Sequence, residues 1–209
     1  MIFILRKTYL GQLLLLGGAT LASIAFYYYS SITPRALLSP EMLIRGVLGG
    51  LFGVALSVFA HTFALLLFGQ RHEKALHAFI AERTATSVSV QASGAITGSI
   101  SEELLLRGYL FSYIHLFSAG FAFGANAVLS AMLCIKRRAS SSLAAVYAVE
   151  ATFYAFLFSN THSLCMVVVA HSITEFGTLF LLTSVPPTWI SYVLRFRKLC
   201  IPVRLLRQQ

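Results

Sequence analysis

Two adjacent acids and an arginine are the densest group of chemically active side chains in the sequence. Glu102 and Glu103 are followed by three leucines and Arg107. On a helix, Glu103 and Arg107 lie four residues apart with the acid first, which is the favoured order for an ion pair. Glu102 points about 100° away and has no partner within its own helix. Either Glu102 is available for proton transfer, or the three side chains form an interfacial salt bridge in the water of the headgroup region.

A histidine and an acid share one helix face further along the chain. His171 and Glu175 lie four residues apart, after an apolar run that starts at Ser163. One interpretation is a His–Glu hydrogen bond that supports packing. The other is that His171 meets Glu102 across the protein, where an imidazole and a carboxylate can activate water directly or through a divalent metal such as zinc.

Three further ionisable side chains lie in or beside apolar segments. Glu150 has no charged neighbour, and we expect it to pair with Arg107 or with a histidine. His61 is interpreted as a hydrogen-bonded packing residue. His162 follows a short polar stretch, so it is either exposed or lies over the site. An ionisable group inside a membrane helix is costly unless it is paired or hydrated, which makes each of these a functional candidate.

The elements that carry these side chains are predicted to be transmembrane helices. Apolar residues make up 57% of the chain and charged residues only 11%, which is too little charge for a soluble protein of 209 residues. Several charge-free stretches reach the roughly 20 residues that a helix needs to cross a bilayer. We therefore predict an all-α, polytopic bundle of about six membrane helices, near residues 9–32, 44–69, 86–107, 116–135, 143–159 and 163–184.

Within the second of these helices, two pairs of small residues spaced four apart favour close contact with another helix. They are Gly46 with Gly50, and Gly49 with Gly53. Residues 70–84 are predicted to be a polar, amphipathic connector, and residues 108–115 to lie at the membrane interface. Residues 186–209 resemble a basic interfacial tail, because proline stops the last membrane helix and Trp189 and Tyr192 follow it.

The net charge of +9 does not indicate a nucleic-acid partner, because the basic residues flank the apolar runs. Such flanks are typical of the cytoplasmic ends of membrane helices. We therefore expect membrane lipid as a partner and a multi-pass, integral protein of a bacterial inner membrane. The three cysteines are scattered, so neither a disulfide framework nor a cysteine metal site is predicted.

Two segments resemble the CAAX protease and bacteriocin-processing family, also called type II CAAX prenyl endopeptidases or Abi proteins. Residues 102–111, Glu-Glu-Leu-Leu-Leu-Arg-Gly-Tyr-Leu-Phe, are similar to its EExxxR motif, and residues 163–171 are similar to the segment that ends in its last histidine. The resemblance implies an intramembrane endopeptidase for prenylated CAAX tails or peptide leaders. In it, Glu102 would activate the attacking water, and His171 would assist or bind the oxyanion. Members are often labelled metalloproteases.

The resemblance covers residues 85–185 as a protease core, with residues 1–84 as an N-terminal membrane and connector segment. Two departures stand out. The family's middle FxxxH motif is missing, since Cys134 and Arg138 fall in its register, and the nearest literal match ends at His162, nine residues before His171. The asparagine of the last motif is Glu175, so His162 or Glu175 would have to complete the site. The alternatives are an inactive relative that binds membrane peptides, as in bacteriocin immunity, or a small transporter.

Overall fold

The computed structural model describes residues 39–136, 140–184 and 188–200, and this part of the chain consists of helices joined by short turns. The all-α prediction is confirmed. The elements are α1 (Pro40–Phe68), α2 (Gln70–Thr84), α3 (Val88–Glu103), a π-helical segment (Leu104–Phe111), α4 (Ser112–His115), α5 (Ala119–Lys136), α6 (Ser141–Thr161), α7 (Leu164–Ser184) and α8 (Thr188–Cys200).

The ends of α1 follow from local sequence. Ser39 caps its start by accepting a hydrogen bond from the Met42 amide at 3.2 Å, and Pro40 occupies the first turn, where no amide donor is needed. The helix thus begins four residues before the predicted start at residue 44. It ends at Gly69, whose positive φ of 57° a residue with a side chain would rarely adopt.

Helices α1 and α7 pack closely through the glycines that the sequence singled out. A Cβ at Gly50 would lie 2.6 Å from the Cβ of Ile173, and a Cβ at Gly53 would overlap the hydroxyl of Thr174. The predicted small-residue contact is confirmed. This contact determines how close α7, which carries His171, comes to the rest of the bundle.

Residues 86–107 were expected to form one regular helix, followed by an interfacial stretch over residues 108–115. Instead, α3 changes into π-helical geometry at Leu104 and helical structure continues to His115. The Ser112 hydroxyl donates to the Arg107 carbonyl at 2.8 Å, five residues back. Phe111 and Ser112 are buried, with Phe111 in one apolar cluster with Tyr154, whereas Tyr109 and Tyr113 remain exposed. One side of this stretch therefore packs on the core, and its interfacial position stays a prediction. Single π-helical turns inside α-helices are frequent at functional sites.

The protein is an integral membrane protein. Among the described residues, α1, α6 and α7 are long and apolar enough to cross a bilayer, and α5 carries a shorter apolar stretch, Ala119–Leu133. Large apolar side chains remain exposed on these helices, including Phe59 on α1 and Phe180 on α7, as expected of surfaces that face lipid. The helix predicted over residues 9–32 lies outside the described residues.

The predicted connector and tail are both helical. Helix α2 buries His72 and Leu76 against the bundle and exposes most of its other polar side chains, with Glu73 and Arg83 half-buried, in agreement with the predicted amphipathic character. Ile190 of α8 packs with Leu65 and Leu76 in one apolar cluster. Helices α2 and α8 therefore meet near the end of α1, beside the membrane-crossing part of the bundle.

Candidate active site

A cavity of about 320 Å³ lies between α2, the end of α3, the π-helical segment, α5, α6 and α7. Glu102, Arg107, Glu150 and His171 line it. A smaller adjoining cavity of about 90 Å³ shares Glu102, Glu150 and His171 with the larger one. Most of the polar groups that the sequence singled out therefore face one continuous interior region.

Glu103 lies beneath this cavity as the central acceptor. It is fully buried, and its Oε1 accepts hydrogen bonds from Arg107 Nη1 at 3.0 Å and from His171 Nδ1 at 2.7 Å. The pairing of Glu103 with Arg107 is the one that the helix spacing predicted. The partner of His171 across the bundle, however, is Glu103 and not Glu102. Glu103 thereby fixes one ring nitrogen of His171 and leaves the other, Nε2, on the opposite side of the ring.

The Arg107 guanidinium is held on a second side by the backbone of α6. Its Nη2 donates to the Ala151 carbonyl at 2.9 Å, and the side-chain amide of Asn126 donates to the same oxygen at 2.8 Å. Arg107 is 1% exposed. Both terminal nitrogens of this buried cation thus have acceptors, a carboxylate and a carbonyl, while its Nε has no hydrogen-bond partner within the described residues. Arg107 is therefore interpreted as a structural support of the site. Glu150 was expected to pair with Arg107 or with a histidine, and the first alternative is wrong because Arg107 is bonded to Glu103 and to the Ala151 carbonyl instead.

Tyr154 determines the plane of the His171 ring. The two rings stack with centroids 4.5 Å apart and an interplanar angle of 21°. The Arg107 guanidinium lies 5.5 Å from the centroid of the same tyrosine ring. Because one face of the imidazole is covered and its Nδ1 is bonded, His171 has little freedom to rotate. Such restraint is what a group that must meet a reacting atom requires.

Glu102 is half-buried and lines both cavities. Its neighbours Ser101 and Glu103 are both buried. Because successive side chains of a helix point in different directions, Glu102 lines the cavity while Glu103 is buried beside it. This separation matches the division between the two acids that the helix geometry predicted. Unlike Glu103, Glu102 is a carboxylate that a molecule in either cavity would meet, as is Glu150.

Glu175 is paired with a residue that the sequence did not single out. Arg83 Nη2 lies 2.8 Å from Glu175 Oε1, and the guanidinium also lies over the Phe79 ring at 5.4 Å. The predicted alternative of a His171–Glu175 bond along one helix face is therefore wrong. The physical reason is that Glu103 occupies His171 Nδ1 while Arg83 reaches Glu175 from α2.

Arg83 brings a fixed positive charge to the site, since it lines both cavities. Burial alone would lower the pKa of Arg83, but the Glu175 carboxylate, with smaller contributions from Tyr147 and Glu102, raises that pKa above its ordinary value. Arg83 therefore stays protonated.

A chain of buried polar side chains reaches the smaller cavity from α2. His61 lines this cavity, and its Nδ1 lies 3.1 Å from His72 Nε2. His72 Nδ1 in turn lies 2.9 Å from the Ser142 hydroxyl. Burial lowers the pKa of His72 to about 4, so it is neutral at pH 7. His61 is thus hydrogen-bonded, as expected, but it also faces the site.

Sequence reasoning missed His72 and Arg83 because residues 70–84 were interpreted only as a polar connector. A usable signal was present, since His72, Leu76, Phe79 and Arg83 are spaced four, three and four residues apart and so lie on one helix face. A polar residue at each end of an apolar stripe indicates that this helix face packs against a neighbour that also carries polar side chains.

The remaining predicted site residue does not reach either cavity. His162 ends α6 in a left-handed conformation with φ of 50°, is exposed, and contacts Phe158 with ring centroids 6.2 Å apart. Arg138 and the side chain of Cys134 lie outside the described residues. Where α5 meets the larger cavity, its described residues contribute Ser130 and Leu133.

The described residues do not fit a protein-held metal ion. No group of three or more histidine, cysteine or acidic side chains converges in residues 39–136, 140–184 and 188–200 in the way that a metal ion requires. The open nitrogen of His171 is Nε2, and Glu175 is paired with Arg83.

Comparison with known proteins gives one finding. Residues 84–177 match the family model described as Rce1-like: Type II CAAX prenyl endopeptidase Rce1-like. No curated protein and no solved structure matches the chain at a significant level. The matched segment contains Glu102, Glu103, Arg107, His171 and Glu175, while His72 and Arg83 lie just before it. The resemblance predicted from the two sequence motifs is confirmed.

Proposed function

Since residues 84–177 match the model of the Rce1-like family of type II CAAX prenyl endopeptidases, we propose that the chain cleaves membrane-associated peptides inside the bilayer. Prenylated CAAX tails and peptide leaders are the candidate substrates. The observation that carries the proposal is that Glu102 and His171 line a common cavity, with His171 held by the buried Glu103.

In the proposed reaction, Glu102 is the general base. Its carboxylate takes a proton from a water molecule in the cavity while the water oxygen bonds to the scissile carbonyl carbon. The carbonyl π electrons move to the oxygen, which becomes an oxyanion. When the oxyanion collapses, the carbon–nitrogen bond breaks and Glu102 returns the proton to the leaving amine. A carboxylate that is half-buried at the wall of an interior cavity suits this role, because less bulk water competes with the substrate there than at the surface.

Glu103 is a positioning residue in this proposal. It holds His171 Nδ1, so that the opposite nitrogen, Nε2, can contact the attacking water or the oxyanion. The stacked Tyr154 ring keeps the imidazole in plane. Arg107 neutralises Glu103, which lets a carboxylate remain buried at this point.

Arg83 is proposed to stabilise the oxyanion. Glu175 stands where the family has an asparagine, and an unpaired carboxylate there would repel a developing negative charge. Arg83 cancels the charge of Glu175 through one nitrogen at 2.8 Å, and its remaining N–H groups are donors at the edge of both cavities. In this proposal, Arg83 of α2 stabilises the oxyanion at the place where the family motif has a neutral amide.

The proposal is tested by cleavage of a prenylated CAAX peptide and its unprenylated copy by the purified full-length protein in detergent, with products identified by mass spectrometry. We expect wild type to cleave, and Glu102→Gln and His171→Ala to lose roughly 100-fold or more. Glu82→Gln is the matched control, because Glu82 also lines the larger cavity but has no assigned role. A chelator should leave the rate unchanged. Equal rates for wild type and Glu102→Gln would refute the mechanism.

The role of Arg83 has its own test. Arg83→Gln should reduce cleavage by about 100-fold, the typical effect of removing one oxyanion donor. The double variant Arg83→Gln with Glu175→Asn removes the repulsive acid and restores the family's amide, so it should recover much of the activity. A double variant as inactive as the single one, with the same thermal midpoint as wild type, would contradict this role.

The second candidate function is an inactive relative that binds membrane peptides. The observation in its favour concerns α5, which lies in the register of the family's middle histidine motif. The described residues of α5 that line the cavity are Ser130 and Leu133, and neither is a histidine. Such a protein would bind the same peptides in an equilibrium assay and release them uncut. This function would be favoured if wild type and Glu102→Gln bind the peptide with equal affinity and neither forms a cleavage product.

A further inference from the structure

A second cleft lies apart from the proposed active site, where the end of α1 and the start of α2 meet α8. It has a volume of about 460 Å³, which falls in the range of small-molecule sites. Four cationic side chains line it: Arg71 and Lys74 from α2, and Arg197 and Lys198 from α8. No acidic side chain is among the described residues that line it. Such a cleft attracts anions.

One of the four cations is held in place by the fold. Arg197 Nε donates to the Leu66 carbonyl at 2.8 Å and Nη2 to the Leu67 carbonyl at 3.4 Å, so the side chain caps the end of α1. Gly69 makes this approach possible, because a Cβ at that position would lie 2.8 Å from the guanidinium carbon. These hydrogen bonds fix α8 against α1, so one wall of the cleft has a defined position.

The other three cations have no acidic partner within the described residues. Arg71, Lys74 and Lys198 take part in none of the ion pairs found there. Arg71 and Lys74 are three residues apart on α2, a spacing at which like charges repel. Gathering them with Lys198 around one cleft costs free energy that a bound anion would offset.

The position of the cleft indicates where such an anion comes from. Helix α1 is a membrane-crossing helix that ends at Phe68, so the cleft lies at the level of the lipid headgroups. Helix α8 exposes Tyr192, Phe196 and Leu199 beside its basic residues, as interfacial helices do. Basic flanks mark the cytoplasmic leaflet, where anionic lipids are concentrated.

We infer that this cleft binds the phosphate-bearing headgroup of an anionic lipid. The four cations contact the phosphate, while Phe68 and Leu194, which also line the cleft, face the glycerol and the first part of the acyl chains. A bound lipid would stabilise the contact between α1, α2 and α8. The inference is independent of any proteolytic activity.

The test uses Trp189, the one tryptophan of the sequence, which lies on α8. The full-length protein is reconstituted in phosphatidylcholine vesicles with increasing fractions of brominated phosphatidylglycerol, whose bromines quench tryptophan fluorescence. Brominated phosphatidylcholine serves as the neutral reference. We expect quenching to saturate at a lower fraction of the anionic lipid than of the neutral one.

Matched variants connect this selectivity to the cleft. The double variant Lys74→Gln with Lys198→Gln should reduce the preference roughly 25-fold, since each cation near an anionic surface contributes about fivefold. Arg45→Gln with Arg195→Gln removes the same charge from exposed positions outside the cleft and should keep the preference within about twofold. Arg197 is left intact because it caps α1.

Two results would overturn the inference. Equal loss of preference in both double variants would show that net charge alone attracts the lipid. The second result concerns inorganic phosphate at millimolar concentration. If it abolishes the preference, and if it protects wild type but not the Lys74/Lys198 variant against thermal unfolding, the cleft binds free phosphate instead. Preference that survives phosphate and disappears only in the cleft variant supports the lipid site.

Discussion

Glu103→Gln should destabilise this protein far more than Glu102→Gln, although the two acids are neighbours. Glu103 is 0% exposed, and one of its oxygens accepts bonds from Arg107 at 3.0 Å and from His171 at 2.7 Å. Removing its charge leaves the Arg107 guanidinium buried without a counter-ion, with the Ala151 carbonyl and the glutamine oxygen as neutral acceptors. Breaking a buried pair in this way costs about 3 to 5 kcal/mol, and glutamine keeps one acceptor, so we expect about 3 kcal/mol.

Glu102→Gln should change stability by no more than about 0.5 kcal/mol, because Glu102 is half-buried at a cavity wall. For a chain of this length, 1 kcal/mol corresponds to about 2 to 4 °C in the thermal midpoint. The midpoint of Glu103→Gln should therefore fall by roughly 6 to 12 °C, and that of Glu102→Gln by less than about 2 °C.

Far-ultraviolet circular dichroism of the purified full-length variants in one detergent measures these midpoints, with cleavage followed in parallel well below them. We expect Glu102→Gln to abolish cleavage while remaining folded. Glu103→Gln should retain a residual rate, reduced about tenfold or more because His171 loses its anchor. Midpoints that fall equally in both variants would refute the division between a reacting and a supporting acid.

Three further predictions concern other parts of the molecule. Arg138→Ala should leave cleavage nearly unchanged while His171→Ala abolishes it, and loss of activity in a folded Arg138 variant would mean that this residue replaces the missing motif histidine. Gly50→Ala should lower stability by about 1 to 3 kcal/mol, because its Cβ would lie 2.6 Å from a side chain of α7. Gly49→Ala is the control, because its Cβ would lie no closer than 3.4 Å to any side chain, and equal thermal midpoints of the two variants would contradict the packing argument. Burial lowers the pKa of His72 to about 4 from 6.5, so the unfolded chain binds the proton more readily and stability falls below pH 6.5. The loss is roughly 2 kcal/mol by pH 5. A thermal midpoint that is the same at pH 7 and pH 5 would show that His72 titrates normally.

Much of this protein was predictable from the sequence because the relevant interactions are local. Long charge-free runs predict membrane helices wherever they occur, since a helix satisfies its own backbone in lipid. The bond between Glu103 and Arg107 depends only on a spacing of four residues along one helix. The glycine pairs of α1 likewise predicted a close helix contact, although they did not say which helix would fill it.

The partners across the bundle were decided only by tertiary structure. Periodicity shows which face of a helix a side chain occupies, but not which residue of another helix it meets. Both sequence interpretations of His171 therefore named a plausible acid, Glu102 or Glu175, and the structure brings it to Glu103 instead. Arg83 and His72 became visible as parts of the site only when α2 packed against α6 and α7, because a contact between distant segments depends on the crossing of the helices and not on local spacing.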